Sequence, residues 1–322
     1  MGVFAMLSMS SLCKFAVPIF FMISGALLIP KQETIGVLLK KRVFRFSLVI
    51  LLFVLLQYTY YFFTAGDDAP KLGWTRLALD IYQGSWSFVL PSAAWFLYAY
   101  VGLLLTMPFL RLLADRITKD HIIYMISSLC ILVYLIPLAY SLLTGCKPGG
   151  NGILAWMRFT TGPQAFLVYA LLGHYVENMI DIKRVGPKCC IFLAVLICGS
   201  CMLSAISEIA IVQRTHLPLY SETLVTFMGL HPVICCAVYL LVKKLCTYLT
   251  WSPFCVKWIG YVGAATFTLF LTENILRSEL SFLFADIQTS YLSSWGLALL
   301  VTLSGIVIGM VLKRIPLLNK II

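Results

Sequence analysis

Apolar residues fall in long runs along the chain, and polar residues gather between them. A helical span of a bilayer needs ~20 consecutive, mostly apolar residues. Runs near that length occupy 13-30, 44-64, 95-114, 122-143, 163-179, 189-212, 224-245, 262-284 and 292-312. The fold class they predict is all-α, a polytopic transmembrane helical bundle of about nine spans. No repeat of solenoid period, low-complexity tract or soluble domain interrupts the pattern, so 1-322 reads as a single integral-membrane domain.

The first run, "KFAVPIFFMISGALLIPK" at 14 to 31, carries features that an anchor has no need of. Pro18 removes a backbone donor and tends to kink a helix. Ser24 and Gly25 let another backbone or a ligand approach closely. This helix is shaped either for tight packing or for a cavity wall.

Composition sharpens the class. Of the residues 61% are hydrophobic and 11% charged, and mean hydropathy is +0.95. A soluble domain carries roughly 25% charged residues, so the chain lacks the polar surface to cover a water-soluble globule. The net charge of +11 has a membrane explanation. The links after the first, third, fifth and seventh runs, together with the tail, hold seventeen Lys and Arg, and the alternate links hold five. Basic residues favour cytoplasmic loops, and this alternation absorbs the charge with no nucleic-acid partner. It places 31-45 in the cytoplasm and the start of the first run outside. Residues 1-12, "MGVFAMLSMSSL", lack the basic region of a signal peptide. The charge pattern therefore predicts a further helix upstream, giving ten spans with both ends cytoplasmic.

The eleven cysteines lie mostly in apolar stretches, where a thiol behaves as a small hydrophobe. Cys198 and Cys201 have a half-site spacing but no second pair, and no metal site is expected.

Several stretches then agree with one another: "FAVPIFFMISGALL" (15-28), "KKRVFRF" (40-46), "WFLYAYVGLLLTMPFLRLL" (95-113), "FLVYALLGHYV" (166-176) and "GAATFTLFLTENIL" (263-276). In this order and spacing the chain resembles the acyltransferase-3 family of bacterial membrane O-acyltransferases. The resemblance implies transfer of an acyl group, usually acetyl, from cytoplasmic acyl-CoA to a hydroxyl of an envelope glycan or lipid-linked saccharide. It implies a multi-pass place in the bacterial cytoplasmic membrane, among membrane lipids. The family's catalytic histidine lies on a first helix that has no counterpart in residues 1-322.

Candidate chemistry follows. Arg42 and Arg45 match the family's basic residues after the first motif, and guanidinium groups suit the phosphates of CoA. Lys40 and Lys41 beside them read as topology or headgroup residues. Glu273 and Arg277 are four apart within the eighth run, on one helix face and able to pair. Ionisable residues at such a depth default to function, so they are read as a structural ion pair or a cavity wall. His231, read near the middle of the seventh run, could serve as general base or as a hydrogen-bonded core histidine. His174 reads as an interface residue, and His121 and His216 as loop residues. The link 65-94 holds Asp67, Asp68, Asp80, Trp74 and Trp86, a set that suits a membrane surface or a glycan. Trp95 and Tyr98 could face the same cavity. Two other classes remain open: a transporter or flippase for an envelope precursor, whose intramembrane charges line its path, and an inactive remnant of the enzyme family.

Overall fold

A computed structural model describes residues 2–64, 78, 95–146, 165–216, 230–284 and 291–314. Among these residues the secondary structure is helical, with no strand. The helices are α1 (Gly2–Cys13), α2 (Ala16–Leu28), α3 (Phe44–Thr64), α4 (Trp95–Ala114), α5 (Lys119–Leu129), α6 (Ile136–Thr144), α7 (Ala165–Asn178), α8 (Pro187–Thr215), α9 (His231–Tyr248), α10 (Pro253–Leu280) and α11 (Tyr291–Leu312). A short helix, Ile35–Leu38, and a π-turn, Leu39–Val43, lead into α3; a second π-turn, Cys130–Leu135, joins α5 to α6.

Among the described residues, eight continuous helical segments are long and apolar enough to cross a membrane: Val3–Leu28, Ile35–Tyr60, Phe96–Ala114, Lys119–Thr144, Pro187–Thr215, His231–Tyr248, Pro253–Leu283 and Leu292–Leu312. They account for eight of the nine apolar runs. The ninth, 163-179, contains α7, whose described part is 14 residues. The chain is a polytopic α-helical membrane protein.

Two positions differ from the sequence reading. The first run was expected to begin at 13, yet helix extends back to Gly2 and α1 and α2 together form one segment. Ser8, Ser10 and Ser11 dilute the hydropathy of "MGVFAMLSMSSL" without breaking the helix, because serine costs a helix only a fraction of a kcal/mol, roughly 0.5, relative to alanine. The interruption at Lys14 and Phe15 is the footprint of Pro18. Proline has no N–H for the Lys14 carbonyl four residues earlier, and it sits in the first turn of α2, where the loss costs least. His231 is the second difference. It is the first residue of α9 rather than mid-helix, followed by Pro232 at a position where proline is preorganised for helix. Residues 224-229 of that run lie outside the described residues, as do 65-77 and 79-94 of the long link.

The Cys130–Leu135 π-turn has a comparable cause. Pro137 cannot donate to the carbonyl of Val133, and a wider turn accommodates the missing bond.

The chain divides into two compact units, Met1–Ile35 with Gly102–Leu249 and Gly36–Val101 with Thr250–Ile322. In the first unit α2 crosses α7 at backbone contact. A Cβ on Gly25 would overlap the carbonyl of Ala170, and a Cβ on Gly173 would overlap that of Met22. With no hydrophobic drive between helices in lipid, such small-residue contact supplies van der Waals attraction over backbone surface. Phe21 stacks on Phe166 beside the crossing, with centroids 4.2 Å apart. The Ser24 hydroxyl donates to the Phe20 carbonyl of its own helix at 2.8 Å, so serine is accommodated without a partner from outside. The Ser-Gly step of the first motif is thus a packing device.

Arg111 of α4 ties this crossing to the chain beyond it. Its guanidinium donates to the carbonyls of Glu33 at 2.9 Å and Leu28 at 3.1 Å, and lies 3.7 Å from the Glu33 carboxylate. Leu28 is the last residue of α2, where the helix dipole favours a cation. Arg111→Met is expected to lower stability by about 1.5–3 kcal/mol, the worth of bonds to a charged group. A detergent unfolding titration would measure it, and an unchanged midpoint would show that the carbonyls find other donors.

In the second unit α10 packs on α11, with Gly309 against Ala265 and Gly305 against Leu269. Phe46 of α3 meets Tyr100 and Phe267, at 4.5 and 5.7 Å between centroids, and Phe96 meets Phe270 at 5.3 Å. Tyr60 of α3 donates to the carboxylate of Glu279 on α10.

Candidate functional site

The first unit buries an unusual amount of polar side chain. His231 is 1% exposed, and neither ring nitrogen makes a well-formed hydrogen bond among the described residues; the ring reaches only loosely towards the main chain of Ser11. Its polar neighbours are the main chain at Ser11 and the ammonium of Lys14. One turn further along α9, the Cys235 thiol faces the carbonyl of Phe15 at 4.0 Å. His231 therefore lies where Pro18 interrupts the helix, beside the one lysine of the first apolar segment. A buried imidazole so poorly bonded is costly, so this position is either a strained packing solution or a site that another molecule completes.

The same unit holds Glu208, 2% exposed within α8, which the sequence reading passed over. A lone carboxylate inside an apolar run was the signal that could have found it. Beside it, the Ser207 hydroxyl donates to the Leu203 carbonyl and meets the Tyr134 hydroxyl, both at 2.7 Å.

At the far end of α7 and α9 the polar groups are fully engaged. Glu177 accepts from the Tyr239 hydroxyl at 3.0 Å and pairs with Lys243 at 3.1 Å. Lys243 also donates to the Glu177 carbonyl, and Lys244 to the Ile182 carbonyl. These lysines serve helix ends, as the macrodipole favours. His174, also buried, has Nδ1 3.1 Å from the Asn178 amide nitrogen one turn on.

The other candidates divide between the units. Ser24, Gly25 and His231 belong to the first; Arg42, Arg45, Trp95, Tyr98, Glu273 and Arg277 belong to the second. Arg42 sits half-buried in the π-turn, and Arg45 is exposed in the first turn of α3. Trp95 begins α4, and its side chain lies outside the described set. The Tyr98 hydroxyl is buried and has no partner among the described residues. Glu273 and Arg277 are both exposed, and no ion pair joins them. Their spacing puts them on one face of α10, and that face is turned away from the unit's interior. The acidic and aromatic set of link 65-94 lies outside the described residues. His121 serves as a helix cap, its Nδ1 2.9 Å from the Thr118 hydroxyl. Among the described residues no group of three metal-ligating side chains occurs, and both Cys198 and Cys201 are free thiols.

The chain matches the family model Acyl_transf_3, described as an acyltransferase domain, over residues 2–314. No curated protein and no solved structure matches it. A match across nearly the whole length, on a chain of membrane-spanning helices, settles the family: the chain belongs to the acyltransferase-3 family of membrane acyltransferases.

Proposed function

We propose that this chain is an O-acyltransferase of the bacterial cytoplasmic membrane. It takes an acyl group, acetyl in the family's usual chemistry, from cytoplasmic acyl-CoA. It passes that group to a hydroxyl of an envelope glycan or lipid-linked saccharide. The observation that carries this reading is His231, wholly buried beside Lys14 and the Ser11 main chain with no well-formed hydrogen bond, in a chain of acyltransferase family.

The reaction needs a base, charge stabilisation and a donor site. His231 takes the proton of the acceptor hydroxyl as its oxygen attacks the thioester carbonyl carbon. The carbon–sulfur bond breaks, and the leaving CoA thiolate receives that proton from the imidazolium. Lys14 stabilises the negative charge that develops on the carbonyl oxygen, where exclusion of water makes a single ammonium effective. Arg42 and Arg45 hold the phosphates of CoA; the alternation of basic links supports a cytoplasmic place for them.

The test is thiol release from acetyl-CoA by the purified chain in nanodiscs, with and without saccharide acceptors. Acceptor-dependent release is expected. Solute uptake into vesicles with no turnover of acetyl-CoA would overturn the reading in favour of a transporter. Within the same assay, Arg42→Gln and Arg45→Gln should each raise KM for acetyl-CoA about tenfold, from the loss of one charge-assisted contact. KM for the acceptor should stay as it was. A KM for acetyl-CoA that does not move in either variant would assign these arginines to lipid headgroups.

A further inference from the structure

The two units treat their basic residues differently. At one end of the first unit cations are balanced within it: Arg111 lies beside Glu33, Lys243 pairs with Glu177, and Arg184 stands 3.6 Å from Asp181. Lys244 donates to the Ile182 carbonyl. The second unit has no such balance. Its segments 36–46, 250–263 and 309–314 hold seven Lys and Arg and no Asp or Glu.

Packing gathers those segments at one end of the second unit. Phe46 meets Phe267, and Tyr60 donates to Glu279 further along both helices, so α3 and α10 run in the same sense. Gly305 lies against Leu269 and Gly309 against Ala265, so α11 runs opposite to α10. Lys40 stands six residues before Phe46, as Tyr261 stands six before Phe267. Lys313, four residues beyond Gly309, comes to the same level. Lys40, Lys41, Lys257 and Arg314 are exposed there.

Beside this charge α10 carries a ladder of exposed rings. Phe254, Trp258 and Tyr261 follow one another on one helix face, with successive centroids 6.0 and 6.5 Å apart. The Lys257 ammonium lies 5.9 Å from the Tyr261 centroid. Tryptophan and tyrosine settle at the headgroup level of a bilayer. The segment Pro253–Leu283 has 31 residues, against the ~20 that cross the hydrocarbon, so it has turns to spare for that layer. The ladder thus sets the lysines at the depth of lipid phosphates.

We propose that this end of the second unit binds anionic phospholipid, with Lys40, Lys41 and Lys257 on the headgroup phosphates and an acyl chain along the aromatic ladder. The inference goes beyond acyl transfer and holds whatever the acceptor is. Net charge decides between lipid classes. A zwitterionic headgroup brings its own cation among seven others, with no carboxylate in those segments to receive it. An anionic headgroup leaves its phosphate charge to the ammonium groups, which bind it as point charges. A soluble phosphate compound would meet the charges and leave the ladder uncovered.

The purified full chain in neutral detergent is titrated with phosphatidylglycerol, or with phosphatidylcholine of the same acyl chains, while thermal unfolding is followed. Phosphatidylglycerol should raise the melting temperature at the lower mole fraction, and added salt should weaken its effect by screening exposed charges. In the Lys40→Gln, Lys41→Gln, Lys257→Gln variant its half-effect mole fraction should rise about tenfold or more, since each cation near an anionic surface is worth about fivefold. Lys31→Gln, Lys183→Gln, Lys188→Gln removes three exposed lysines of the first unit instead, and that variant should respond as wild type does. An equal wild-type response to the two lipids would overturn the proposal. So would an equal rise in both triple variants, which would assign the effect to overall charge. The wild-type salt series needs no variant to fold: a phosphatidylglycerol effect that salt leaves unchanged overturns the proposal as well.

Discussion

Gly173→Leu is expected to leave little folded protein, with an unfolding penalty of about 3 kcal/mol or more, at or above the usual cost of overpacking a core. The argument is steric. Even a methyl group at this position would overlap the main chain of α2 at Met22, and main chain cannot rotate aside as a flexible side chain does. Relief requires α2 and α7 to separate, which forfeits contact along the crossing and unstacks Phe21 from Phe166. Gly25→Leu should behave alike, since its Cβ would overlap the main chain at Ala170. Gly102→Ala and Gly199→Ala provide the contrast. Nothing lies within 4 Å of a Cβ at either position, so each should be neutral or stabilising by roughly 0.5–1 kcal/mol, as for glycine within a helix. Denaturant titration of the four variants in detergent would decide. A Gly173→Leu variant with the wild-type midpoint would mean that the two helices are not packed at backbone contact.

That crossing marks a boundary of what could be read from the sequence. Spans were legible because lipid imposes a length and a composition on every crossing helix, and both are local properties. The special character of Gly25 was also legible, since a Ser-Gly step inside an apolar run stands out. Its partner was not. Gly173 lies nearly 150 residues further on, and nothing in the string states which helix packs on which. Glu273 and Arg277 show the same limit: spacing puts them on one face, but only the packing of α10 on α11 and α3 decides that the face is exposed. His231 was recognised by type and mislocated along its helix, because the apolar residues before it look like helix. Glu208 carries its own signal, a carboxylate inside an apolar run, although it belongs to none of the motifs that mark the family.

His231→Leu carries the proposed chemistry most directly, and the choice of leucine makes the result interpretable. Leucine is close in size to histidine and apolar, so it refills a fully buried position without a cavity. The native ring's polar contacts are the Ser11 main chain and the Lys14 ammonium, so replacement forfeits at most one poorly formed hydrogen bond, about 0.5–1.5 kcal/mol, against the gain of burying an apolar side chain. The melting temperature of the variant should therefore stay close to that of the wild type. Acceptor-dependent thiol release from acetyl-CoA should nevertheless fall by roughly 10²–10⁴-fold, the range that positioned general base catalysis supplies. A buried histidine retained only for packing predicts the reverse, with transfer kept and stability changed. His231→Ala adds a control that packing alone cannot imitate. It opens a space of imidazole size beside Lys14, and added imidazole should restore part of the lost rate in that variant while leaving the leucine variant unaffected. Transfer at the wild-type rate in a well-folded His231→Leu protein would remove the base from this position. It would return the question to the carboxylate of Glu208, which is buried inside the same unit.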